Sequence, residues 1–255
     1  MSEQDKFSDS AGVPWSGRSF QDNGFASDKG EADEELYAAL IKFKSTKSNQ
    51  VEIVEKFAEA RVLIPLVATL GESGFGAHGQ TVDKSADLSI VSVKTPDNQN
   101  ALPIFTSVTS MRTWNASARP VPNNGRTVSL AAVSEGNTRV VLDPGSETEF
   151  VLRRPALEAI AQGFKWQLPE SNPEVIAIVD QALDDIPEVV RFTLLNGDQE
   201  AKLLGHELSV LIYLAANLSQ DRVTEIEKQF LDGISANQRF VELVDSVGIR
   251  FLPAN

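Results

Sequence analysis

Few side chains in this 255-residue chain can do chemistry on their own: it has two histidines and no cysteine. Without cysteine there is no thiolate nucleophile, no disulfide and no Cys-based zinc or iron-sulfur site. A Ser-His-Asp relay needs a base held against its nucleophile, yet His78 and His206 lie in glycine-neighboured, loop-like stretches, "GFGAHGQ" and "LLGHEL". The sequence contains no Gly-x-Ser-x-Gly elbow, Walker loop or His-Glu-x-x-His helix. Adjacent acids such as Asp184 and Asp185 read as solvation of a helix end rather than a general acid/base pair. No catalytic residue, metal ligand or cofactor is assigned, and the residues favour a noncatalytic role.

Gly74, Gly76 and Gly79 have the spacing of a dinucleotide fingerprint, but such a loop must open a helix whose amides face the pyrophosphate. Here "QTVDKSADLSIVSV" follows, polar and then strand-like, so the segment reads as a loop and His78 as solvated.

Arginine is more informative. Between residues 101 and 163 every basic residue is arginine: Arg112, Arg119, Arg126, Arg139, Arg153 and Arg154. A guanidinium keeps its charge and binds planar anions through two parallel hydrogen bonds, so the bias fits a site for a small anion or an acidic peptide. The competing account pairs these heads with Glu135, Asp143, Glu147, Glu149 and Glu158. Arg119, fixed between Ala118 and Pro120, and the Arg153-Arg154 pair at a strand-to-helix junction stand apart. With the stretch "ALPIFTSVTSMRTWNASARPVP" they give a candidate binding face of Phe105, Thr106, Ser107, Trp114, Arg119, Arg153 and Arg154. The alternative for the same stretch is structural: Thr106 or Ser107 caps a helix, and Phe105, Met111 and Trp114 fill the core.

The elements that must position these residues follow from periodicity. Residues 1–30 show no period and read as a tail, either flexible or docked through Trp15, Phe20 and Phe25. A helix starts near Asp33 with Leu36, Leu40 and Ile41 on one face, and "NQVEIVEKFAEA" is a second, aligned on Val51, Val54, Phe57 and Ala58. "RVLIPLVATL" is apolar on both faces and reads as a central strand, although Pro65 hints at an edge or bulge. A strand to Val93, a turn over Pro96-Asp97-Asn98 and a strand from Leu102 to Phe105 make a hairpin. "RTVSLAAVSEG" is a helix closed by Gly136. "TRVVLDPGSETEFVL" is a hairpin turned at Asp143-Pro144-Gly145, and "RPALEAIAQG" is a helix with Pro155 in its first turn.

These residues carry a resemblance. The hairpin into "LPIFTSVTSMRTW", then "ARPVP", the "VVLDPGSETEFVLRRPALEAIAQG" block and the upstream "RVLIPL" resemble the N-terminal domain of the bacterial SseB family, named for an enhanced-serine-sensitivity phenotype. The resemblance spans roughly residues 33 to 163 and implies an α/β domain with no catalytic residue to carry over.

Past Gly163 a second unit begins with Asn172 and Pro173 opening a helix striped by Val175, Ile178, Val179 and Ala182. Val190, Phe192 and Leu194 share one face of a strand, and Leu208, Val210, Ile212 and Leu214 that of another. A helix from Ser219 buries Val223, Ile226 and Phe230; "RFVELVD" is a further helix and "VGIRFL" a last strand. This unit resembles the C-terminal domain of some SseB-family members. The expected class is α+β with two small helix-covered sheets, mixed in the N-terminal domain (31–163) and antiparallel in the C-terminal domain (164–255).

A formal net charge of -13 excludes nonspecific attraction to nucleic acid or anionic membrane. From residue 164 onward 15 acidic residues face 7 basic ones, so the second unit carries most of the charge. No leader-like or membrane-spanning run is present, which points to the cytoplasm. The expected function is a noncatalytic protein-interaction or regulatory module with a protein partner, its acidic second domain suiting a basic one. The alternative is an anion sensor or enzyme with a pocket bounded by Thr106, Ser107, Trp114, Arg119 and Arg153.

Overall fold

The structure, a computed structural model, describes Phe25, residues 28–69 and residues 87–254. The expected docking of Trp15 and Phe20 and the glycine loop with His78 lie outside these residues. The first described helix, α1 (Glu34–Thr46), is capped by Asp33, whose carboxylate accepts from the Leu36 amide at 3.0 Å. Leu36 and Leu40 are buried, whereas Ile41 is 38% exposed. Helix α2 (Gln50–Glu59) buries Ile53, Val54, Phe57 and Ala58, not Val51. There follow β1 (Arg61–Thr69), β2 (Asp87–Ile90), β3 (Val93–Lys94), β4 (Asn100–Ile104), α3 (Val108–Trp114), β5 (Arg119–Asn124), α4 (Gly125–Ser134), β6 (Arg139–Leu142), β7 (Phe150–Arg153) and α5 (Arg154–Gln162).

Strand β1 is central, between β2 and β5 and antiparallel to both. Its proline fits because of register. The Leu63 amide and carbonyl exchange bonds with Phe105, away from β5, so by alternation Pro65 also turns its nitrogen away from β5. On that side its partner changes from Phe105 to the β2 ladder, which starts at Leu66. Pro120 and Pro122 face Pro65 and Leu63 across β5 and take the same non-bonding phase, which explains how "RPVP" forms an edge strand.

The second sheet has the order β3-β4-β6-β7, with β4 and β6 parallel and the other pairs antiparallel. The hairpin expected to run unbroken to Val93 is divided: Asp87–Ile90 joins β1, and only Val93–Lys94 pairs with β4. Helix α4 starts so close to α2 that a Cβ on Gly125 would lie 1.8 Å from the Phe57 carbonyl oxygen. These helices and the inner face of the second sheet share one core, including Phe57, Ile104, Leu142, Leu152 and Leu157.

The rest of the chain forms a second core from α6 (Pro173–Asp184), β8 (Val189–Asn196), β9 (Leu208–Leu214), α7 (Gln220–Ala236), α8 (Gln238–Leu243) and β10 (Val247–Pro253). Its sheet has the order β10-β9-β8. The expected all-antiparallel arrangement is corrected here, since β10 runs parallel to β9. Two helices separate those strands and return the chain to the starting end, as a parallel connection requires. A bulge between Val189 and Arg191 leaves Val190 61% exposed, so Val189 takes its place beside Phe192 and Leu194 on the inward face. The described residues therefore make an α+β fold with three small sheets.

Candidate functional site

The opening stretch resolves into a buried hub. Ser107 caps α3, accepting from the Ser110 amide at 3.1 Å, and Ser110 completes the reciprocal bond to the Ser107 amide. Thr106 has a different task. Its amide and hydroxyl both donate to Asp143, at 2.8 and 2.7 Å, and Ser110 and Thr148 hydroxyls add 2.8 Å bonds to the same carboxylate. Asp143 is 1% exposed and holds no arginine; four donors offset its burial. Phe105 is fully buried against Trp114, ring centroids 5.3 Å apart.

Arg153 and Arg154 are elsewhere. Strand β6 has Leu142 beside Ile104 at one end and Arg139 beside Arg153 at the other, so Arg153 lies two strand spacings and about five residue rises, roughly 19 Å, from Thr106. The pocket expected between them is not assembled. Arg139 and Arg153 are cross-strand neighbours, an arrangement of like charges that opposes pairing. The second unit supplies the remedy. Asp245 accepts from Arg139 through both oxygens, at 2.8 and 2.7 Å, and from Arg153 at 3.0 Å. Asp97 takes the outer side of Arg139 at 2.9 Å, and Asp198 takes Arg153 at 2.7 Å. Burial disfavours the Arg153 cation, but the Asp198 bond and charge outweigh that and raise its pKa. Arg154 donates to Glu158 and to the carbonyls of Val241, Glu242 and Val244 at the end of α8.

Beside this clasp lies a cavity of about 20 Å³, walled in part by Val54, Phe150, Ala156 and Leu168. Trp166 Nε1, Glu170 Oε2 and Glu207 Oε1 belong to its lining residues and have no protein hydrogen-bond partner. One donor and two acceptors in that volume suit a water molecule rather than an organic ligand. Burial pushes the Glu207 carboxyl up to about 7 and raises that of Glu170.

Of the five acids expected to pair with the arginines, only Glu158 does so. Arg126 reaches Glu59 instead. Arg112 and Arg119 are exposed and have no carboxylate among the described residues. Arg112 lies on α3 two residues before half-buried Trp114, and Arg119 opens β5. A sequence signal marked this region: no Asp or Glu occurs between Asp97 and Glu135, although 36 of the 255 residues are acidic. Asp198 and Asp245 had no such signal, being 45 to 106 residues from the arginines they serve.

The architecture is thus that of a two-core α+β protein whose cores are joined by a buried arginine-carboxylate clasp. Residues 36–159 match the family model of the SseB protein N-terminal domain, so the chain carries an SseB N-terminal domain. The match ends within α5, just before the second core. No curated protein and no solved structure matches the chain.

Proposed function

We propose that the protein is a noncatalytic, cytoplasmic interaction module whose α3–β5 face docks an acidic segment of a partner protein. The carrying observation is that Arg112 and Arg119 stand exposed and without carboxylates on an acid-free stretch, while Arg126, Arg139, Arg153 and Arg154 all have acidic partners. Half-buried Trp114, between them in sequence, offers the rigid aromatic surface that anchors interfaces. Pro120 and Pro122 remove ladder donors from β5, so recognition runs through side chains rather than strand addition. Phe105, Thr106 and Ser107 support this face from below, whereas Arg153 and Arg154 bind the second unit at the other end of β6, away from it. The second unit takes the role of an SseB-type C-terminal domain. Among the described residues no helix is long and apolar enough to cross a membrane.

Affinity purification from the native host with wild-type and R112E/R119E baits, read by mass spectrometry, tests the proposal. Melting is expected to stay nearly unchanged, because exposed charges contribute within about 0.5 kcal/mol, while at least one partner disappears from the variant's eluate. Identical recovery on both baits removes the face.

A further inference from the structure

All three helices of the second unit pack on one face of its sheet, through Phe192, Leu194, Ile249 and Phe251 among others. The register fixes what the opposite face carries. Arg191, Tyr213 and Leu252 form one row across β8, β9 and β10. In the next row Leu211 lies beside Arg250, and in the third Leu195 is the only large side chain. Thr193, Ser209 and Gly248 complete the three rows, so the face has no acid although its unit has 15. None of the nine positions is buried, and Leu195 is 45% exposed. Solvated sheet faces are ordinarily polar.

Leu252, Tyr213, Leu211 and Leu195 run as an apolar diagonal from β10 to β8, with Arg191 on one side and Arg250 on the other. Two strand spacings and four residue rises give it a length of about 17 Å, the length of a helix of about three turns. The Arg191 guanidinium lies 3.3 Å above the Tyr213 ring, which holds it at the edge of the stripe. Neither arginine has a carboxylate among the described residues.

We infer that this face binds an acidic amphipathic helix from another protein, its leucine-rich stripe along the diagonal and carboxylates on each flank. Charge complementarity selects that occupant: a second copy would set the same arginine-bearing, acid-free face against itself. The inference extends the interaction-module reading to a second surface and rests on it only in assuming a protein partner.

The test uses the full chain and a fluorescein-labelled, helix-forming peptide of about 14 residues with a leucine stripe flanked by glutamates, and its twin with lysines. The glutamate peptide is expected to bind, the lysine twin to bind at least about tenfold more weakly, and R191E/R250E to reverse that preference. Leu195→Ser, at an exposed position that folding tolerates, weakens both peptides. R112E/R119E leaves the glutamate peptide's affinity unchanged, so failure of the α3–β5 face and failure of this one read out separately. Equal affinity for the two peptides, or indifference to R191E/R250E, overturns the inference. So does a wild-type dimer that R191E/R250E dissolves, which assigns the face to a second copy. Tighter peptide binding after removal of residues 1–24 also overturns it, assigning the face to the chain's own N-terminal segment.

Discussion

Replacing Asp245 with alanine removes the one carboxylate shared by both arginines of the clasp. Its side chain is 5% exposed, and those of Arg139 and Arg153 are 7% and 9% exposed. Three charge-assisted bonds are lost together, and two guanidiniums on adjacent strands face each other with less neutralisation. Breaking a buried ion pair from one side costs about 3–5 kcal/mol. Arg139 keeps Asp97 and Arg153 keeps Asp198, so the lower end, about 3 kcal/mol, is expected. Urea unfolding of the full chain, followed by circular dichroism and by fluorescence of Trp166 beside the clasp, measures it. Simultaneous replacement of Asp245 and Arg139 by methionine is expected to recover much of the loss, since the like-charge pair is gone, Arg153 keeps Asp198, and Asp97, 31% exposed, is left to solvent. A loss below about 1 kcal/mol for Asp245→Ala places the clasp in the range of solvated surface bridges and refutes the reasoning.

Because the Glu207 carboxyl is raised from 4.5 to about 7, the folded chain keeps a proton that the unfolded chain releases between those values. Stability therefore falls as pH rises through that window, by about 3 kcal/mol, and Glu207→Gln abolishes the fall; unfolding free energies at pH 5 and pH 8 that change alike in both proteins disprove it. Thr106→Val, which strips a hydroxyl donor from buried Asp143, is expected to cost about 2 kcal/mol, and Ser107→Ala, which removes a cap, about 1 kcal/mol; equal, negligible shifts in chemical denaturation contradict the hub. Residues 164–255 expressed alone should unfold cooperatively by circular dichroism, whereas residues 31–163 should bind a hydrophobic dye until the second fragment is added. Leu203 covers Ala101, Val141 and Val151, and the Val151 amide donates to the Ala201 carbonyl; a dye-silent first fragment refutes that dependence.

Local rules made much of this legible. The apolar alternation of Leu208, Val210, Ile212 and Leu214 gave a strand with those residues buried. Pro155 and Gly163 bound α5, and Asp143-Pro144-Gly145 turns the β6–β7 hairpin. Each is decided by residues a few positions apart. Strand β5 escaped because its prolines argue against a ladder unless one knows which side of β1 they face. The direction of β10 escaped because alternation does not encode polarity. Arg153 was singled out from the sequence, but its partners are set by how two cores meet, which no spacing records. The acid-free run around Arg112 and Arg119 was visible in composition alone.

The placement of Arg139 and Arg153 has a consequence for the order of synthesis. Strand β7 is the outer strand of its sheet, and its Val151 amide finds an acceptor only in Ala201. As the chain leaves the ribosome at about 5–20 residues per second, this edge precedes Asp245 by several seconds at least. During that interval two neighbouring guanidiniums with only Asp97 as a counter-charge sit at the end of an open apolar edge and repel a second such strand. The charges that later fasten the two cores thus serve first as gatekeepers against self-association, until Asp198 and then Asp245 arrive to take them up.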